Sequence, residues 1–158
     1  MSVSDEIISV SEASEADLPG VLQLYAQPEI DDGAILSLEQ AKAIFAQFAT
    51  YPNYKLYVAK KGDQVLGSFA LLIMHNLGHL GTPSAIVEDV VVDPAWQGKG
   101  IGQAMMGCAK VQAKMAGCYK LMLSSNAKRE RAHAFYEQLG FERHGYSFRI
   151  DIDAPGGE

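Results

Sequence analysis

Of the chain's 158 residues only two are cysteines, Cys108 and Cys118. Their ten-position separation in one expected helix is about 15 Å of rise, too long for an intrachain disulfide unless the helix ends between them. No Cys or His cluster accompanies them, so the spacing of a metal centre is missing too. No apolar run approaches the roughly 20 residues that cross a bilayer, which leaves no membrane partner to expect. The opening Met1–Glu6 is acidic and lacks the basic-then-apolar pattern of a secretory leader. The expected setting is therefore cytoplasmic. Positive charge is also short, with 13 Lys and Arg against 19 Asp and Glu and a formal net charge of −6. That balance argues against broad nucleic-acid binding. Repeats, low-complexity tracts and linkers are missing as well, so 1–158 reads as a single domain.

What is present is an ordinary globular balance, 48% hydrophobic and 20% charged. A chain of this size buries about 68–70% of its unfolded surface, enough for a core without staples. Charge is distributed unevenly. Met1 to Gln47 holds nine carboxylates and one cation, Lys42, whereas Lys128, Arg129, Arg131, Arg143 and Arg149 crowd the last quarter. A basic patch on an acidic protein suits a small anionic ligand, and it is equally the mark of a solvated helix face.

The pattern predicts a first strand over 7–10, then a helix opened by Asp17-Leu18-Pro19. A second helix is capped by Ser37 with Gln40 three positions on. Residues 54–60 and 65–74 form a hairpin about Lys61-Gly62-Asp63. A strand over 85–92 ends at Asp93-Pro94, and a helix runs over 100–116. A strand over 121–124, a helix over 129–139 and a closing hairpin within 141–152 complete the order. The fold class is α/β (α+β), a mixed sheet of 6–7 strands flanked by about four helices.

The most informative segment runs from Glu88 to Gly102, EDVVVDPAWQGKGIG. A strand enters a glycine loop, which becomes the first turn of a helix. Glycines admit close backbone approach, and the first helical amides lack internal partners beside about +0.5 charge. Such a loop suits a phosphate or pyrophosphate. A dinucleotide fingerprint fails because Gln103 stands where its third glycine belongs. A Walker loop fails because Gly100 follows Lys99.

Gln97-Gly98-Lys99-Gly100-Ile101-Gly102 resembles the Q/R-x-x-G-x-G/A signature of the GCN5-related N-acetyltransferases. Ala132-His133-Ala134-Phe135-Tyr136-Glu137-Gln138-Leu139-Gly140-Phe141 is similar to that family's second block. The resemblance implies a three-layer, mostly antiparallel fold with splayed strands, and acetyl-CoA as co-substrate without a metal. It implies that Gln97, Gly98, Lys99, Gly100, Ile101, Gly102 and Gln103 hold the pyrophosphate. It further implies that Val90, Val91 and Val92 line the pantetheine arm, which Asn126 also reaches unless it caps the next helix. Tyr136 matches the tyrosine that protonates the leaving thiolate; a packed helix tyrosine is the other reading of that position.

Strand alternation puts Glu88 and Val90 on one face and Asp89 on the other. A carboxylate in so apolar a strand is costly unless solvated or paired. Glu88 is thus either the base that takes the ammonium proton through water or a strand carboxylate held by a cation. Asp89 and the loop histidines His75 and His79 are further candidates for the base. An amide near Val90 or Val91 is placed to polarise the thioester carbonyl. The acceptor expected is the primary amine of a small molecule. Parts of the chain resemble glucosamine-6-phosphate and aminoalkylphosphonate N-acetyltransferases. The acidic run Glu29-Ile30-Asp31-Asp32 favours a cationic acceptor if it borders the site. A peptide acetyltransferase and a silent acyl-CoA-binding module are the alternatives, and the family resemblance makes a homodimer a frequent state.

Overall fold

The computed structural model describes residues 7–152, and the chain divides into two units, Met1–Leu123 and Ser124–Glu158. In the first, strand β1 (Ile8–Glu12) leads through a 3-10 turn at Glu15–Asp17 into helix α1 (Leu18–Tyr25). Asp17 organises this corner. Its carboxylate accepts from the Ser14 amide at 2.8 Å and from Lys60 Nζ at 3.0 Å. Burial by itself would raise the Asp17 carboxyl, but the Ser14 amide and Lys60 together hold it below its ordinary value. Helix α2 (Leu38–Phe48) is capped as its sequence predicts, with Ser37 Oγ accepting from the Gln40 amide at 3.2 Å.

Strands β2 (Tyr54–Lys61) and β3 (Gln64–Met74) form the expected hairpin, followed by β4 (Ser84–Val92), helix α3 (Ile101–Met115) and β5 (Leu121–Leu123). The sheet order is β1-β2-β3-β4-β5, antiparallel except for the parallel β4–β5 pair. A parallel neighbour needs a crossover, and α3 supplies it. One face of the sheet buries Leu56, Val58 and Ala70 against Leu18, Val21 and Ala41 of α1 and α2.

On the opposite face Gly67 lets α3 approach. A Cβ there would stand 2.8 Å from Met105 Sδ and 3.1 Å from Ile101 Cγ2. That contact seats the first turn of α3 directly on β3.

The second unit contains helix α4 (Glu130–Gln138). The expected closing hairpin within 141–152 is not formed, so the sheet has five strands and not 6–7. The segment does carry a strand's alternating pattern, Tyr146, Phe148, Ile150 and Ile152 with polar residues between. No strand among the described residues pairs with it, and strand structure requires a partner's ladder.

Candidate functional site

The site begins at a fault in β4. Ala70 of β3 pairs with Glu88 and Ser68 pairs with Val91, leaving Phe69 opposite both Asp89 and Val90. This is a β-bulge, with Asp89 in the left-handed region at φ 52°. The extra residue overturns the expectation from alternation. Glu88 now shares a face with Val91 and not with Val90, because ladder partners lie on one side of a sheet. Burial raises the Glu88 carboxyl above its usual value and the charge of Asp89 adds to that. Burial likewise raises Asp89, reinforced by Asp31 from the loop after α1.

Two tyrosines complete this cluster. The Tyr25 phenol, at the end of α1, is pushed up to about 12 by burial and then by Asp89, with the Ser68 hydroxyl opposing. Burial also raises Tyr54 on β2, helped by Asp89 and Glu88. Tyr54 stacks on Phe48 with ring centroids 4.5 Å apart. The loop after α1 is tied to β4 by Gln27, whose Nε2 donates to the Val92 carbonyl at 3.0 Å. Tyr25 and Tyr54 were not singled out from the sequence, whereas Asp31 belongs to the acidic run read there as favouring a cationic acceptor. Their signal there is the adjacent pair Glu88-Asp89, which a two-faced apolar strand has no regular way to accommodate.

The parallel ladder between β4 and β5 has three pairs, ending at Val87 and Leu123. From Glu88 to Val92, β4 is unpaired on that side among the described residues. Val91 is buried, and Val90 and Val92 are half-buried. The strand then turns at Asp93, whose Oδ1 accepts from the Ala95 amide at 2.9 Å. Trp96 follows, with Lys61 Nζ and Lys99 Nζ each 5.2 Å from its ring centroid.

The glycine loop fits an anion on its own geometry. Gly98 and Gly100 take φ values of 77° and 88°, and a Cβ on either would meet nothing within 4 Å. The loop backbone is therefore open on the side where a side chain would stand. The amides of Gly98, Lys99, Gly100, Ile101, Gly102 and Gln103 donate to no backbone carbonyl, and the first helical bond is Ala104 to Gly100 at 3.0 Å. Six consecutive donors across the loop and first turn of a 15-residue helix suit a diphosphate. Among the described residues no group of His, Cys, Asp and Glu is arranged for a metal.

The remaining predicted residues belong to the second unit. Asn126 Oδ1 accepts from the Lys128 amide at 2.9 Å, closing a turn, while the N-cap of α4 is Arg129. Tyr136 packs edge-on to Phe135 and Phe141, at 5.3 and 5.7 Å between centroids. Burial raises its phenol above the usual value, opposed by Arg129. In the basic tract, Arg143 is bound to Glu137 at 2.8 Å and Arg149 to Asp151 at 2.9 Å. His79, a candidate base in the sequence, instead lies against Tyr119 with ring centroids 4.5 Å apart.

A bulged strand with an open ladder edge thus runs into a row of unpartnered backbone amides, an arrangement that suits a phosphate-bearing ligand. The model of the acetyltransferase (GNAT) family matches residues 18–141, spanning both units, and the chain belongs to that family. It is 34% identical over 98 residues to a glucosamine 6-phosphate N-acetyltransferase of Trypanosoma brucei brucei, covering 62% of this chain and 65% of that one. The chain thus spans a little under two thirds of that relative. It is also 34% identical over 138 residues to an aminoglycoside N(6')-acetyltransferase type 1 of Stenotrophomonas maltophilia, covering 85% and 86% of the two chains. A solved Trypanosoma brucei acetyltransferase superposes with a TM-score of 0.79 at 28% identity, over 92% of this chain and 100% of that one.

Proposed function

We propose that the protein is an acetyl-CoA-dependent N-acetyltransferase acting on the primary amine of a small molecule, with 1–158 as one catalytic domain. The observation that carries this reading is the row of unpartnered amides from Gly98 to Gln103 at the end of a bulged β4. In this reading the pyrophosphate of acetyl-CoA rests on Gln97 to Gln103. The pantetheine arm lies along the open edge at Val90, Val91 and Val92, with Asn126 also serving that arm.

The amine nitrogen attacks the thioester carbonyl carbon, a C–N bond forms and the C–S bond breaks. The acceptor's ammonium first loses a proton through water to Glu88, whose carboxyl burial and the charge of Asp89 raise above its usual value. The departing thiolate takes a proton from Tyr136, a phenol kept protonated by burial. An amide just past the bulge, at Val90 or Val91, polarises the carbonyl. Acetyl-CoA supply makes the cytoplasm the natural setting.

For the acceptor, the sequence leaves room for an amino sugar phosphate, an aminophosphonate or another small amine. One observation favours an amine bearing a second positive charge. Asp31 of the acidic loop acts on Asp89, which acts on Glu88, so that loop borders the bulge. Two of the five arginines and lysines that would greet a phosphorus oxyanion are already held by carboxylates. Resemblance to the aminoglycoside enzyme agrees with a polyamine sugar.

The test is calorimetric titration of acetyl-CoA, then release of CoA thiol across amines. The set includes an aminoglycoside, spermidine, glucosamine 6-phosphate, an aminoalkylphosphonate and a lysine peptide. Micromolar acetyl-CoA binding with turnover on a polyamine is the expected result. Turnover on the phosphorylated amines alone would overturn the acceptor assignment. Turnover on the peptide alone, or binding without turnover, would replace the small-molecule reading by one of its alternatives.

A further inference from the structure

Beside Glu88 the sheet carries an apolar strip that its helices leave half open. Ladder partners share a face. Tyr54 pairs with Leu72, Leu72 with Ile86 and Ile86 with Met122, so one row crosses four strands. The next row runs through Leu56, Ala70 and Glu88, which puts the Glu88 carboxylate on the same face, two positions beyond Ile86. This is also the helix face, since Leu56 and Ala70 lie in the core with α1 and α2. Among the described residues, Tyr54 alone of its row packs against that core. Its ring is fixed by Phe48 at 4.5 Å and meets Tyr51 edge-on at 5.8 Å. Leu72, Ile86 and Met122 are half-buried, and Glu88 is exposed. Strand spacing makes those three about 10 Å wide and sets Glu88 about 7 Å from Ile86 along β4.

We propose that this strip receives the body of the acceptor, and that the acceptor is an alkyl amine. Its ammonium lies at Glu88 and its hydrocarbon on Leu72, Ile86 and Met122, with Tyr54 as the closing wall. The inference rests on the proposed acetyl transfer at β4 and narrows its acceptor. Charge complementarity places the cation at the carboxylate, and the strip continues from that carboxylate on one face. Leu72, Ile86 and Met122 bring no strong hydrogen-bonding group, so a hydroxylated body would leave polar atoms unpaired there. Neither row holds a Lys, Arg or His to greet a phosphorus oxyanion. Among polyamines the strip therefore selects methylene chains over amino sugars. A chain leaving Glu88 meets hydrocarbon for about 7–12 Å, the reach of roughly six to ten bonds. Each methylene is worth about fourfold in affinity when fully buried, and about two- to fourfold on a half-open strip.

The probes are the primary amines from n-propylamine to n-octylamine, with glucosamine as the hydroxylated comparison. Calorimetric titration into the full chain reads amine binding alone, and release of CoA thiol from acetyl-CoA reads kcat/KM. Both are expected to rise about two- to fourfold per added methylene, with the gain in KM and not in kcat. Leu72→Thr and Ile86→Thr keep strand-forming side chains. Each is expected to flatten that slope while acetyl-CoA affinity stays as in the wild type. Glu88→Gln is expected to weaken every amine alike and to leave the slope of the titrations intact, which separates charge from hydrocarbon. A flat series in the wild type overturns the proposal. So does a slope that both Thr variants leave unchanged, or glucosamine binding more tightly than hexylamine. If acetyl-CoA itself does not bind, the proposed function falls, while the amine titrations still support or overturn the strip.

Discussion

Replacing Gly100 by aspartate separates the anion-binding duty of the loop from its folding. Gly100 sits at φ 88° and ψ 4° as the N-cap of α3, and a Cβ there meets no atom within 4 Å. Gly100→Ala therefore carries only the left-handed penalty, about 1–2 kcal/mol, or roughly 2–8 °C in melting temperature for a chain of this size. Aspartate tolerates that backbone region better, and its charge at the start of α3 regains about 0.3–1 kcal/mol. The Asp variant should melt no lower than the Ala variant.

Binding should respond in the opposite way. A carboxylate about 5 Å from a phosphate charge repels it by roughly 0.8 kcal/mol at the dielectric of water and roughly 3 kcal/mol at an effective value of 20. Acetyl-CoA should thus bind Gly100→Asp about 4- to 150-fold more weakly than Gly100→Ala. Calorimetry at two salt concentrations is the assay, and the gap should narrow as salt rises. Equal affinities for the two variants would refute the assignment of the cradle to an anion.

Glu88→Gln should abolish the acid limb of the kcat/KM profile and cut the rate roughly 10²- to 10⁴-fold; an undiminished rate would remove Glu88 as base. Asp89→Asn should shift that limb to lower pH, since the Asp89 charge helps raise Glu88. The same variant bears on stability. Asp89 has a raised folded value, so its favourable contribution is present below its unfolded pKa and lost as pH rises. Asp89→Asn should therefore melt higher than wild type at pH 8 but not at pH 3, by calorimetric scanning. Tyr136→Phe should lower kcat far more than acetyl-CoA affinity, and equal turnover would take the phenol out of the mechanism. Asp17→Asn should cost about 1–3 kcal/mol at neutral pH. The Asp17 carboxyl is depressed, so this difference should disappear as pH falls through its folded value, as denaturant titrations at pH 7 and pH 2.5 would report.

Local chemistry made much of the molecule legible from its residues. Ser37 before Gln40 marks a cap, Gly62-Asp63 marks a hairpin, and glycines before Ile101 mark an open helix start; each signal lies within a few positions. The bulge was not legible, because alternation assumes a regular ladder and the extra residue at Asp89 appears only as a shift between Ser68 and Ala70. Tyr25 and Tyr54 were missed for the same reason. They come from a helix end and another strand, and only the folded chain brings them under the charge of Asp89, as it brings Asp89 under that of Asp31. The closing hairpin failed differently. The pattern in 146–152 records an alternation, but pattern alone does not supply the neighbouring strand that a ladder requires.

Three costs fall together at the middle of β4. A non-glycine residue holds a left-handed backbone, two carboxylates stand adjacent with raised values, and the ladder to β5 has already ended. None of these stabilises the fold, and a core strand of Val and Ile free of all three was available to the sequence. Their meaning follows from what lies at the other end of the same strand. There the chain offers six unpaired amides with Lys61 and Lys99 about Trp96, a positive end that the proposed function gives to an anionic cofactor. In the proposed function the carboxylate end, where the bulge lies, receives a cationic amine. Acetyl transfer joins an anionic carrier to a cationic acceptor that must lose a proton before attack. In the proposed function, a strand polarised in this sense holds the two apart by charge and offers Glu88, its carboxyl raised, to the proton that the acceptor loses.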